Sequence, residues 1–243
     1  MSTPGEVRPE YEVLARDFRA LAAPFGLPVD ASLERDLVLV AASFEAIDRY
    51  VDATEDAGER ARMCAAILTT LRGGRAEEPV RGELSVVLDS IRPRLVAFRA
   101  LGDFVSQLAT FFVRSETLRT TTRRGEFVLC VLDEARCAAE MALLVIPDRP
   151  RFPRFVRFFR VLSEIANLVD KLHDVRGDWE RGEIGARPDV ALHVRLLASL
   201  AFRLPALLFL ARRPFRLIAW GARYALPPPR PRVQPACYPP HPR

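Results

Sequence analysis

Apolar side chains recur at three- and four-residue spacing along most of the chain, and the two-residue alternation of half-buried strands is almost absent. That rhythm predicts a succession of helices. The first covers Glu10 to Phe25. Asp30-Ala-Ser-Leu-Glu is a helix start with Asp30 or Ser32 as cap, and Leu37, Val40, Phe44, Ile47 and Val51 carry that helix to about Thr54. Another runs from roughly Glu59 to Leu71 and stops at Gly73-Gly74. Arg81 to Arg114 is helical, with Pro93 expected to kink or split it. Glu126 to Ile146 is strongly apolar and is closed by Pro147, Pro150 and Pro153, after which Phe155 to about Trp179 forms the next helix. Gly182 and Gly185 are expected to loosen the chain before Pro188. A last helix starts at Asp189, in an apolar stretch that Pro205 and Pro214 interrupt. Residues 227–243 hold eight prolines and read as a disordered, polyproline-like tail. No regular repeat appears, which excludes a solenoid. The expectation is all-α: a single helical bundle over residues 1–226, then the tail 227–243.

Composition narrows this further. A chain of 243 residues, 49% hydrophobic and 28% charged, is long enough for one substantial core and too short for two. Lys171 is the sole lysine, and every other basic residue is arginine. The net charge of +5 allows an anionic partner without choosing among phosphate, lipid headgroup and nucleic acid. Cys64, Cys130, Cys137 and Cys237 form no CxxC pair and have no histidine at a zinc-finger spacing. The polar, acidic stretch Met1 to Tyr11 is not a secretory signal, so a reducing, cytoplasmic setting is expected.

Candidate chemistry lies in two acidic runs. Asp48, Asp52 and Asp56 stand at successive intervals of four, and so do Asp170, Asp174 and Asp178. With 14 aspartates in the chain, chance gives about one Asp-x-x-x-Asp pair. Four occur, all inside these runs. On a helix such residues share a face, and carboxylates held that close repel. A divalent cation relieves the repulsion. Mg²⁺ suits it, because Mg²⁺ binds through one or two protein carboxylates together with substrate phosphate oxygens. Two acidic helices facing each other would hold such ions around a diphosphate, neutralising it as a leaving group. The same spacing also describes a solvated helix face. The flanks favour the site, because Leu37 to Phe44 and Val161 to Val169 are mostly apolar.

The two runs resemble the paired aspartate motifs of the squalene/phytoene synthase family, within the wider class I isoprenoid synthases. Asp48 and Asp52 match its helix-borne first motif. Asp170-Lys-Leu-His-Asp174-Val-Arg-Gly-Asp178 stands where its second motif lies, 126 residues on from Asp48 to Asp174. The resemblance implies an isoprenoid-synthase bundle and a transferase that ionises a prenyl diphosphate for head-to-head condensation or for cyclisation. It implies Mg²⁺ as cofactor, with Asp48, Asp52, Asp170, Asp174 and Asp178 as metal ligands. Asp48, Asp52, Asp174 and Asp178 would be the catalytic set, and Lys171 and Arg176 would contact the diphosphate. The chain departs from the pattern at Glu45 and His173, where the family carries arginines, and at Gly185-Ala-Arg-Pro in place of Tyr-Leu-Pro. These departures keep a second reading open: an inactive helical bundle that binds lipid or a regulatory partner.

Other features add little. Arg119, Arg123 and Arg124 read as solvent-facing arginines, or as diphosphate contacts. Phe111, Phe112, Phe127, Phe155, Phe158 and Phe159 read as core, with some lining a prenyl pocket. No nucleophile triad or glycine-rich phosphate loop is present. Residues 196–226 are apolar with interspersed arginines, a segment that either packs on the domain or lies on an anionic membrane. Dispersed arginines and no helix-turn-helix signature point away from nucleic acid.

Overall fold

The structure is a computed structural model that describes residues 9–212, so the expected tail 227–243 and the later part of 196–226 lie outside the described residues. Among the described residues the chain forms eight α-helices and no strand: α1 (Pro9–Ala22), α2 (Ala31–Val51), α3 (Ala57–Arg72), α4 (Glu83–Ala97), α5 (Leu101–Thr120), α6 (Arg124–Leu143), α7 (Pro153–Glu180) and α8 (Val190–Leu210). The fold is all-α. Local chemistry explains several starts and stops. Asp30, rather than Ser32, caps α2 by accepting from the N–H groups of Ser32 and Leu33 at 2.9 and 2.8 Å. Asp189 caps α8 through the N–H of Leu192 at 2.9 Å. Gly73 ends α3 at φ 81°, in the left-handed region.

Pro93 does not split its helix. It lies on the exposed side of α4, one turn on from the exposed Asp89, whose carbonyl it leaves without a helical donor. Leu84, Leu88, Ile91 and Leu95 stay buried and hold the helix to α2. The break comes later, at Arg99 (φ 55°). The N–H of Ala100 bonds the carbonyl of Leu95 at 2.8 Å, and that of Arg99 bonds Val96 at 3.0 Å, a Schellman closure with arginine in the left-handed position. Pro205 is likewise carried inside α8, which Leu192, Leu196 and Leu207 anchor to the domain.

α7 is the longest helix at 28 residues, and it packs against both α6 and α8. Buried Phe127, Val131, Leu168, Val175, Leu192 and Leu196 fill the space among these helices. Glu164 of α7 ties the three together, accepting from Nε of Arg136 (α6) and Nε of Arg203 (α8), both at 2.5 Å. At the other end of α7, Phe18 and Phe25 meet Phe155 with ring centroids 5.5 Å apart. The α7–α8 connection is not loose. A Cβ on Gly185 would come within 2.7 Å of the Thr121 carbonyl oxygen and 2.8 Å of that of Arg119. The N–H of Gly185 bonds the Leu118 carbonyl at 2.9 Å. Glycine is required there because the connection lies directly on the backbone at the end of α5.

Candidate functional site

A cavity of about 930 Å³ opens among α2, α3, α5, α6 and α7, and the α7–α8 connection contributes Glu183 and Ile184 to its wall. Small side chains make the space. Ala57, Ala61 and Ala65 stand at intervals of four on α3, facing Ala135 and Ala138 of α6 and Ala166 of α7. Phe111 and Phe112 of α5 and Leu68 of α3 complete an apolar lining. Charged groups occupy another part of the wall: Asp48 and Asp52 from α2, Arg60 from α3, Glu116 and Arg119 from α5, Glu134 from α6, and Asp170 and Lys171 from α7.

The two acidic runs meet here only in part. Asp48 is helical, Asp52 is the C-terminal cap of α2, and both line the cavity. Asp56 has left the helix and caps α3, accepting from the Glu59 N–H at 2.6 Å. All of the second run lies on α7, but only Asp170 among its aspartates lines the cavity. Asp174 is exposed away from it. Asp178 is buried and takes 2.6 and 2.7 Å bonds from Lys171 and Arg181. Arg176 points to solvent and pairs with Glu180 at 3.0 Å. The expected facing of Asp48 and Asp52 with Asp174 and Asp178 across one cavity is therefore replaced by Asp48 and Asp52 sharing a cavity with Asp170 and Lys171. Residues eight apart on a helix are separated by about 12 Å along its axis as well as by roughly 80° around it, and Asp178, two turns beyond Asp170, is engaged by Lys171 at 2.6 Å instead of lining the cavity.

Electrostatics follow from this setting, in which Asp48 and Asp170 keep contact with solvent while Glu134 is closed off. Burial, then the neighbouring Asp52, push the Asp48 carboxyl up to about 6 against the opposing pull of Lys171 and Arg119. Burial pushes Glu134 up to about 7, although Ser115 donates a 2.5 Å bond to it and Lys171 lies near. Burial also raises Asp170, with Asp174 and Asp178 adding to the effect and Lys171 opposing it. Burial works against the charge of Lys171, but Asp178, Glu134 and Asp170 outweigh it and hold the ammonium above its ordinary range. Arg119 forms an ion pair with Asp52 and is largely shielded, so it is a cavity residue and not the solvent-facing arginine expected from sequence. Arg124 is taken by Asp189 on the surface, with Nε 2.9 Å from Oδ1. Arg60 grips Glu116 through two bonds, at 3.0 and 2.9 Å, and donates to the carbonyls of Thr54 and Glu55. It thereby fixes the turn between α2 and α3.

Sequence reasoning passed over Arg60, Glu116 and Glu134. Glu134 had a signal: it lies seven residues after Phe127 and three after Val131, placing a carboxylate on the buried stripe of a strongly apolar helix. Arg60 and Glu116 stand on unremarkable polar stretches 56 residues apart, and only the packing of α3 on α5 joins them.

As arranged, the carboxylates are interleaved with Arg119 and Lys171, and among the described residues no group of three or more His, Cys, Asp or Glu side chains stands ready to hold a metal ion. The donor set of Asp48, Asp52 and Asp170 still fits Mg²⁺ chemically, since that ion needs only one or two protein carboxylates when phosphate oxygens complete its shell. Asp174 and Asp178 do not belong to that set. No known family model, curated protein or solved structure matches the chain.

Proposed function

We propose that the cavity binds a prenyl diphosphate and that the protein is a Mg²⁺-dependent prenyl diphosphate transferase of the isoprenoid-synthase kind. The diphosphate would sit among the charged side chains and the hydrocarbon along the alanine- and phenylalanine-lined wall. The observation that carries this reading is the cavity itself. Aspartates from both acidic runs open into one half-open cavity whose remaining wall is largely apolar, and its size falls within the range of small-molecule sites. Mg²⁺, when bound, would neutralise charge on the leaving diphosphate; one or two of Asp48, Asp52 and Asp170 would hold it together with phosphate oxygens.

The chain's own groups have distinct tasks. Lys171 and Arg119 present cations to diphosphate oxygens, and the buried Asp178 holds Lys171 in position. Phe111 and Phe112 offer ring faces to positive charge developing on the prenyl carbon. Glu134, held near neutrality, is able to keep or accept a proton inside the cavity. Head-to-head condensation and cyclisation both begin with the same ionisation.

The decisive experiment is diphosphate release from farnesyl or geranylgeranyl diphosphate by the purified protein, with Mg²⁺ and with chelator. Mg²⁺-dependent release is the expected result. A second reading, a bundle that binds an amphipathic anion without turnover, is favoured by the ion pairs Asp52–Arg119 and Asp178–Lys171, which already neutralise two of the aspartates. It predicts thermal stabilisation by a non-hydrolysable prenyl diphosphate that is equal with and without Mg²⁺, and no release.

A further inference from the structure

Helix α8 keeps one side in the domain and leaves the other uncovered. Leu192, Leu196 and Leu207 are buried, and Arg203 is tied to Glu164. The opposite half of the helix is mostly apolar, with the exposed Arg195 at its edge. Val190, Phe202 and Phe209 are 80%, 82% and 80% exposed, with Val194, Leu197 and Leu208 between them. The 21-residue helix is long and apolar enough to cross a membrane. Its engaged side makes that geometry unsuitable, because α8 lies lengthwise on α7 and keeps the charged Arg203–Glu164 pair at mid-helix.

Charge is distributed just as unevenly. Residues 190–243 carry nine arginines and neither Asp nor Glu, while residues 1–189 carry 27 basic and 31 acidic side chains. An uncovered apolar strip within a purely basic stretch is complementary to one kind of surface, apolar beneath and anionic at the top. A second copy of the chain fits poorly. The strip offers a footprint of roughly 300 Å², against about 800 Å² per partner in a stable dimer, and two such basic segments would repel.

We propose that α8 docks flat on an anionic lipid surface, its outer side chains entering the acyl boundary and arginines of the basic stretch 190–243, Arg195 among them, meeting headgroup phosphates. The inference does not depend on the cavity reading. It is tested by flotation of the full chain with vesicles of phosphatidylcholine alone and of phosphatidylcholine and phosphatidylglycerol in equal parts. The parent is expected to bind the mixed vesicles at least about tenfold better, and to lose most of that preference at about 0.5 M salt. The double variant Phe202→Ser with Phe209→Ser is expected to lose about tenfold or more of the mixed-vesicle binding while its helical melting curve is unchanged, because both rings are exposed. Equal binding to both vesicle types, binding to neither, or a double variant that floats like the parent would overturn the proposal. So would a parent dimer that the double variant converts to monomer, which assigns the strip to a second copy. Retention on a DNA duplex with no flotation would assign the arginines to nucleic acid instead.

Discussion

Asp48, Asp52 and Asp56 stand four residues apart, as do Asp170, Asp174 and Asp178, but the backbone beneath the first set is helical only to Val51, whereas α7 carries the second set throughout. The broken run delivers two carboxylates to the cavity, Asp48 from the last turn of α2 and Asp52 from its C-cap, before the chain turns away to α3. The continuous run delivers one. Asp178, two turns on from Asp170, is buried on the side of α7 that carries Lys171 and is its ion-pair partner. Equal spacing thus produced a cavity pair with a helix cap in one place. In the other it produced a cavity residue, a solvent residue and a buried anchor.

The largest test of that contrast is catalytic. On the proposed function, Asp48→Asn removes a carboxylate from the cavity and is expected to lower Mg²⁺-dependent diphosphate release by about 10³-fold, roughly 4 kcal/mol in the transition state. Asp174→Asn is expected to change it less than about threefold, since Asp174 is outside the cavity. Equal losses would mean that both runs act on the substrate, and the contrast would be broken.

Next in size is stability. Asp178→Ala takes the partner from Lys171 in a shielded site, and breaking such a pair costs about 3 kcal/mol. Urea unfolding reads this directly. Asp174→Asn in the same helix is expected to fall within about 0.5 kcal/mol of the parent. A tolerant Asp178 would show that Lys171 is held by Glu134 and Asp170 alone.

The helices are legible in sequence because their signals are local. Apolar periodicity, the caps at Asp30 and Asp189 and the glycine at Gly73 all act within one turn of the residues they govern. Features decided by distant packing are not legible. Pro93 is a local disruption that the burial of Leu84, Leu88, Ile91 and Leu95 overrides, and nothing near Arg99 announces a left-handed turn. Gly185 signals looseness by composition yet serves close approach, because the Thr121 carbonyl that excludes a Cβ is 64 residues away in the chain. In the candidate site, the acidic spacing points to α2 and α7, both of which line the cavity, without revealing which aspartates share a space. That depends on where α2 ends and on which way α7 is rolled against α6.

The pH dependence reports on the cavity groups Glu134 and Asp48. Glu134 and Asp48 both have folded-state values above their ordinary ones, about 7 and about 6. The folded protein therefore binds more protons than the unfolded chain between about pH 4 and pH 7. The stability these two groups add is fully present below that window and is lost as pH rises through it. Glu134→Gln is expected to flatten the fall, leaving the variant more stable than the parent by about 2 kcal/mol near pH 8 and little different near pH 5. Denaturant midpoints across that range measure it. An unchanged slope would mean that Glu134 is charged and paired at neutral pH.

The smallest effect isolates the helix break. Asp56 is exposed, and its carboxylate accepts the Glu59 N–H at 2.6 Å. The nearby Thr54 hydroxyl bonds Glu59 and accepts the Asp56 N–H, so the turn carries a small polar network of its own. If Asp56 is a cap, Asp56→Ala leaves an α3 N–H without its acceptor and is expected to cost about 1 kcal/mol, with Asp56→Asn or Asp56→Ser restoring most of it. A metal ligand behaves in the opposite way. Neutralising it would leave the ligand-free protein unchanged or slightly more stable by relieving repulsion, and neither Asn nor Ser would restore Mg²⁺-dependent release. Unfolding and release measured on the same three variants therefore decide which of the two roles the third aspartate of the first run plays. A loss of release that tracks no loss of stability would return Asp56 to the cavity and extend the first run across the helix break.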